Sequence, residues 1–172
     1  MKKYLIIGSG AALLLVLLSA CSIRYSLTGT TIDYTKLKTI TINNFPNHAR
    51  LVYSPLSPDF TQGLQDIFTR QTRLNMVPNG GDIEIDGEIT GYDIQDMGVS
   101  ATDSYRSKTR LTLTVKVRFT NNVEPSQNME QSFSANRTYD NTQPLDAVQG
   151  QLVSDMITEL ADMIFNATVG RW

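Results

Sequence analysis

The chain has one cysteine, one histidine and one tryptophan in its 172 residues. A lone cysteine excludes an internal disulfide, so an ordinary apolar core has to hold the fold. The lone histidine, His48, sits in a Pro-Asn-His-Ala loop. No second imidazole is present to complete a zinc site or a catalytic triad. A Gly-x-Ser-x-Gly elbow, a phosphate-cradling glycine loop and a His-Glu-x-x-His helix are all missing. The longest apolar run, Leu5–Leu18, falls short of the ~20 residues a spanning helix needs. Internal repeats and low-complexity segments are also lacking. These absences describe a non-catalytic chain that needs no cofactor.

What is present begins at the N-terminus. Lys2 and Lys3 open the chain, the apolar run follows, and small residues lead into Leu18-Ser19-Ala20-Cys21. That is the layout of a secretory signal peptide. With its cysteine directly after the small pair, it resembles a bacterial lipobox. The resemblance implies cleavage before Cys21 and a diacylglyceryl group on its thiol. Two or more acyl chains give lasting membrane attachment. Ser22, in place of an acidic residue, favours the outer membrane. The chain then divides into a signal peptide at 1–20, a lipidated N-terminus and tether at 21–35, and one domain at 36–172. Within the tether Ile23, Tyr25 and Leu27 alternate as in a short strand. Removing the signal leaves 13 basic and 17 acidic residues, a net charge of −4. A protein-wide attraction to nucleic acid or anionic lipid is not expected from that balance.

The periodicities predict an α+β domain. Lys36–Phe45 reads as a strand. Ser57-Pro58 reads as a helix start, with serine as N-cap and Phe60, Leu64, Ile67 and Phe68 on one face. Asn79-Gly80-Gly81 is a turn, and Asp82–Asp96 a strand with Ile83, Ile85 and Ile89 on one side. The clearest strand is Arg110–Thr120, where Leu111, Leu113, Val115, Val117 and Phe119 alternate with polar residues. A further strand runs near Met129–Tyr139, and Pro144 opens a long last helix with Leu145, Val148, Leu152, Met156, Leu160 and Ile164 along its face, flanked by Val153, Ile157 and Met163. The order β-α-β-β-β-α predicts a roughly four-stranded, mainly antiparallel sheet with two helices packed on one side. Four strands and a final helix do not make a membrane barrel.

Charge is distributed in blocks. Seven acidic residues and no basic ones lie between Asp82 and Asp103, and five basic residues and no acidic ones between Arg106 and Arg118. A hairpin with its tip near Ala101 sets Glu84 opposite Arg118 and Asp86 opposite Lys116, pairs that fix register. Such pairing makes Glu84 and Asp86 poor general acids in a hydrolase. Strand spacing spreads Asp82, Glu84, Asp86 and Glu88 too widely for a calcium cage. Arg106, Lys108 and Arg110 lie nearer the tip, where Asp93 and Asp96 neutralise them less fully. These three are the candidate contacts for an anionic ligand.

Several strand segments together carry a family resemblance: Cys21-Ser-Ile-Arg-Tyr-Ser-Leu-Thr-Gly, Ile40-Thr-Ile-Asn-Asn-Phe-Pro-Asn, Gly87-Glu-Ile-Thr-Gly-Tyr and Arg110-Leu-Thr-Leu-Thr-Val-Lys-Val-Arg-Phe-Thr-Asn. Glu130-Gln-Ser-Phe-Ser and Asp162-Met-Ile-Phe-Asn extend it across the mature chain. The sequence resembles a divergent branch of the lipopolysaccharide-assembly lipoproteins, LptE. The resemblance implies an outer-membrane lipoprotein that plugs an LptD-like β-barrel and helps it deliver lipopolysaccharide to the outer leaflet. The domain would then face the periplasm or the barrel lumen. An accessory lipoprotein of another envelope machine, such as a secretin pilotin or a lipid-transporter subunit, shares the lipidation and fold class and stays open.

Overall fold

The computed structural model describes residues 32–97 and 108–170. Cys21, Arg106 and the part of the tether before Ile32 lie outside the described residues. The elements are β1 (Thr39–Ile42), α1 (Leu56–Gln71), β2 (Asn75–Met76), β3 (Ile83–Met97), β4 (Lys108–Asn121), β5 (Met129–Asp140) and α2 (Leu145–Thr168). A single 3-10 turn, Pro125–Gln127, joins β4 to β5. The expected α+β architecture is present, with one addition. Among the described residues the sheet has five strands in the order β2-β1-β3-β4-β5. β1 runs parallel to both β2 and β3, while β3, β4 and β5 are antiparallel. The parallel pairs follow from α1, which carries the chain from the end of β1 back to its start.

The helices cover one face of the sheet. From α1, Leu56, Phe60, Leu64, Ile67 and Phe68 are buried, the face expected from its spacing. From α2, Val153, Met156, Ile157, Leu160, Ala161, Ile164 and Phe165 are buried. The α2 face is therefore rotated from the predicted line: Leu145 and Leu152 are only partly buried, and Val153 and Ile157 replace them at its centre. The sheet supplies Ile83, Ile85 and Ile89 from β3 and Leu111 to Phe119 at alternate positions of β4. Phe45 and Phe60 meet edge-on at 5.0 Å, and Phe68 and Phe165 at 5.2 Å.

Ser57 does not cap α1. The cap position is Pro55, with no side-chain hydrogen bond. The Ser57 hydroxyl instead donates to the Phe45 carbonyl at 2.6 Å, and the Phe45 N–H donates to Thr61 Oγ1 at 3.2 Å. One turn of α1 thus takes up both backbone polar groups of Phe45, which lets its ring sit fully buried.

Asp82 is a second tie. Its carboxylate accepts the Lys38 N–H at 2.8 Å and the Thr39 N–H at 3.0 Å, and its own N–H donates to Thr39 Oγ1 at 2.9 Å. These bonds join the entry of β1 to the entry of β3. The Lys38 amide first, and Thr39 next, hold the carboxyl below its usual value of 3.8. A carboxyl lowered in the folded state stabilises above its unfolded pKa, and the effect is lost as pH falls through the folded value. Asp82→Asn is therefore expected to cost roughly 1 kcal/mol at pH 7. The gap to the parent should close below about pH 3.8. Urea unfolding of both proteins across pH 2.5–7 reads this; a gap that does not depend on pH contradicts it.

Candidate functional site: the open face of the sheet

Among the described residues no helix covers the other face of the sheet. Alternation places Glu84, Asp86 and Glu88 of β3 there, beside Thr112, Thr114, Lys116 and Arg118 of β4 and Glu130, Ser132 and Ser134 of β5. The pairing differs from the expected one by two residues. Asp86 stands opposite Arg118, Glu88 opposite Lys116, and Glu84 opposite Thr120. A shift of two keeps every side chain on its predicted face, so the hydrophobic pattern alone did not distinguish the two registers.

On the lower half of this face both cations are held by carboxylates. Arg118 holds Asp86 with two nitrogens, Nη2 to Oδ1 at 2.6 Å and Nε to Oδ2 at 3.2 Å. Lys116 Nζ lies 2.5 Å from Glu130 Oε1. The hydrogen bond with Lys116 is the main reason the Glu130 carboxyl titrates below the usual carboxylate range; the same contact raises Lys116. Asp86 raises Arg118 in the same way. His48 Nε2 stands 3.7 Å from Glu88 Oε2 at the rim, and the Asn122 amide donates to Glu84 at 3.3 Å. Asp82, Glu84, Asp86 and Glu88 are thus divided among separate partners. Among the described residues no group of three metal-binding side chains forms.

The upper half differs because β3 bulges between Ile89 and Gly91. Before the bulge the even positions face outward; after it the odd positions do. Asp93 and Gln95 therefore join the open face, while Tyr92 turns inward and is buried. Its phenolic oxygen accepts a hydrogen bond from Gln149 of α2 at 2.7 Å. Asp96 turns to the helix side as well, where it accepts from Thr109 Oγ1 at 2.9 Å. Asp96 thus stands on the opposite face of the sheet from Lys108 and Arg110. Arg110 stands between Gln95 and Thr138, and Lys108 is the first residue of β4. Among the described residues neither makes an ion pair, and the buried Arg110 Nε has no hydrogen-bond partner. Arg110 and Lys108 are brought together at the hairpin end of the open face. Arg106 and Cys21 lie outside the described residues.

The face has two chemically distinct zones. The lower zone is a polar charge ladder in which Arg118 pairs with Asp86 and Lys116 with Glu130, and Glu84 and Glu88 leave it with an excess of negative charge. The upper zone holds Lys108 and Arg110, which make no ion pair among the described residues; Thr138 stands opposite Arg110 and Asp140 opposite Lys108, with Asp93 across from Thr112 on the same face. Such a zone attracts anions, and its arginine offers a planar fork suited to phosphate. Sequence reading missed the separate tasks of Asp82 and Asp96. It also missed the Arg137–Glu159 pair that ties β5 to α2, with Nη1 2.5 Å from Oε2.

Comparison with solved structures supports this architecture. Rare lipoprotein B from Shewanella oneidensis shares the fold with a TM-score of 0.52 at 13% identity, over 74% of this chain and 92% of that one. The CT253 protein from Chlamydia trachomatis gives a TM-score of 0.52 at 7% identity, over 77% of this chain and 98% of that one. Among curated proteins no sequence matches. The family comparison is the decisive one, because it matches residues 37–168, from the segment leading into β1 through the last residue of α2. The chain belongs to the lipopolysaccharide-assembly family LptE.

Proposed function

We propose that this protein is an outer-membrane lipoprotein, anchored through Cys21, that seats in the lumen of an LptD-like β-barrel and assists delivery of lipopolysaccharide to the outer leaflet. Family membership over residues 37–168 is the observation that carries the reading. The open face supports it physically. A barrel interior is polar, and a plug whose polar open face ties its central charges in its own ion pairs suits such a surface. The protein acts as scaffold and partner and performs no chemistry of its own. Its domain occupies 36–172, joined to the acylated cysteine by residues 22–35.

Lys108 and Arg110, with Arg106 beside them in sequence, are the proposed contacts for the phosphates of the glycolipid. Among the described residues Lys108 and Arg110 make no ion pair, whereas Lys116 and Arg118 are each held by a carboxylate. Reversing the charge with Lys108→Glu and Arg110→Glu together is expected to weaken capture of lipopolysaccharide by the purified mature protein at least tenfold. Binding of the same lipid after removal of its phosphates should be weak for parent and variant alike. Equal binding of both lipids by both proteins would remove these residues from the site.

A further inference from the structure

We propose that Gly91 is a positioning residue for the anion site. Lacking a side chain, it gives the Asp93 carboxylate a place to lie away from Arg110, and so leaves that guanidinium free for a phosphate. The inference deepens the glycolipid reading and rests on it for the identity of the ligand.

The first observation is where Asp93 points. Gly91 and Asp93 are alternate residues of β3 beyond its bulge and share the open face, opposite Thr114 and Thr112. Alternate residues of a strand stand about 6.5 Å apart. Yet a Cβ built on Gly91 would lie only 3.2 Å from Asp93 Oδ2. A carboxylate oxygen reaches that position only when the side chain lies back along the strand, over the glycine and toward the bulge.

Arg110 stands on the other side of Asp93. Its partner on β3 is Gln95, two residues nearer the hairpin end. Arg110 and Asp93 are therefore diagonal neighbours across the β3–β4 pair. Such neighbours lie about 7–8 Å apart, within reach of a long side chain, and opposite charges so placed attract. Among the described residues these two make no ion pair, and the buried Arg110 Nε has no hydrogen-bond partner. The carboxylate best placed to hold Arg110 is turned the other way.

The second observation is that nothing in the backbone or core calls for glycine at this position. Glycine inside a strand weakens it, and it often marks a bulge or a close approach. Gly91 does not have a positive φ; among the described glycines Gly80 does. Gly87 is required by the packed interior, since its Cβ would fall on the Lys116 carbonyl oxygen. Around Gly91 the three nearest atoms are Asp93 Oδ2 and the Cβ and Oγ1 of Thr114, at 3.2–3.4 Å. All three belong to side chains of the open face. Thr114 is engaged with Ser134, Oγ1 to Oγ at 3.2 Å. Asp93 is exposed and is the neighbour free to turn. The direction left to it leads toward the hairpin end, where Arg110 lies. A larger residue at position 91 therefore closes the arginine fork with a carboxylate, in competition with phosphate.

The test compares the purified mature parent with Asp93→Asn, Gly91→Val and the double variant; valine is a residue that strands favour. The first reading needs no lipid. In Gly91→Val the Nε–H resonance of Arg110 should shift and exchange with water more slowly, and Asp93→Asn should undo both changes. The second reading is capture of lipopolysaccharide. Gly91→Val should weaken it about threefold, the scale of one exposed ion pair, and adding Asp93→Asn should restore it. In the parent, Asp93→Asn should strengthen capture by only about 1.5-fold. The same lipid without its phosphates should be captured alike by all. Restoration separates a turned carboxylate from a damaged fold, which a second substitution does not repair. Effects that simply add overturn the proposal, because independent sites add and coupled ones do not. So does an Arg110 resonance indifferent to Asp93 in the Gly91→Val protein. Capture that falls on Lys108→Glu with Arg110→Glu but ignores Gly91→Val also overturns it. If the resonance responds as expected while capture ignores every one of these substitutions, the positioning of Asp93 stands and the glycolipid reading fails.

Discussion

Gly87→Ala is expected to lower stability by about 3 kcal/mol, the upper part of the range for forcing atoms into a filled core. Gly87 lies on the helix-facing side of β3, opposite Val117. A Cβ added there falls on the carbonyl oxygen of Lys116 and comes within 2.7 Å of the Phe45 ring. Neither neighbour is free to move. The carbonyl belongs to the backbone of the central strand β4, and Phe45 is fully buried with both backbone groups bonded to α1. Relief requires β3 and β4 to separate where the Asp86–Arg118 and Lys116–Glu130 pairs sit, so the effect reaches the open face too. The loss corresponds to a fall in melting temperature of roughly 6–12 °C for a domain of this size. Gly91 provides the control. A Cβ there approaches Asp93 and Thr114 side chains at 3.2–3.4 Å, contacts that small rotations relieve. Gly91→Ala should cost under about 1 kcal/mol. Thermal melts of the three mature proteins decide it, and a Gly87→Ala protein melting with the parent contradicts the strand spacing described here.

Phe68→Ala should be more damaging still. Its ring is fully buried between α1 and α2, edge-on to Phe165 at an interplanar angle of 66°. Truncation removes the ring's apolar burial, leaves a cavity and breaks the aromatic contact that joins the helices. Changes of this kind cost about 3–5 kcal/mol. A domain has only about 5–15 kcal/mol to lose. The helices approach too closely nearby to collapse into the gap: a Cβ at Gly63 would stand 2.6 Å from Ile157 Cγ2. Urea unfolding should show a lower midpoint with the slope unchanged, as for a pure stability loss. Phe68→Leu should retain most of the stability. A loss under about 1 kcal/mol for the alanine variant would mean that α1 and α2 are not packed through this residue.

These two residues also mark what could be read from the sequence. Phe68 lies in a run spaced for one helix face, and β4 alternates over its whole length. Both were legible because one element's own period declares its buried side. The α2 face was less so: an apolar residue at nearly every inner position leaves the rotation to packing against β4 and β5. β2 was illegible because Asn75 and Met76 have no period, and only the path of α1 puts them beside β1. The hairpin register depended on where the tip lay, and acidic and basic blocks accept Asp86 opposite either Lys116 or Arg118.

The candidate site was legible as charge and illegible as geometry. Arg110 stood out as a cation near the hairpin tip. Its separation from Asp96 depends on one extra residue in β3. The signal was present, since Ile83, Ile85 and Ile89 hold odd positions and Tyr92 and Ile94 even ones across Thr90-Gly91. A change of parity within one strand marks a bulge. Asp82 was hidden differently, inside a block of similar acids whose partners are backbone amides and so leave no mark in composition.

The measurement that reaches the central claim most directly is affinity capture of a C-terminally tagged chain from native outer membranes, with mass spectrometry of what accompanies it. The account predicts a β-barrel of the lipopolysaccharide-export type in equal amount, retained through mild detergent. Recovery of the lipoprotein alone, or with a secretin or an inner-membrane transporter, would leave the fold standing and contradict the plug.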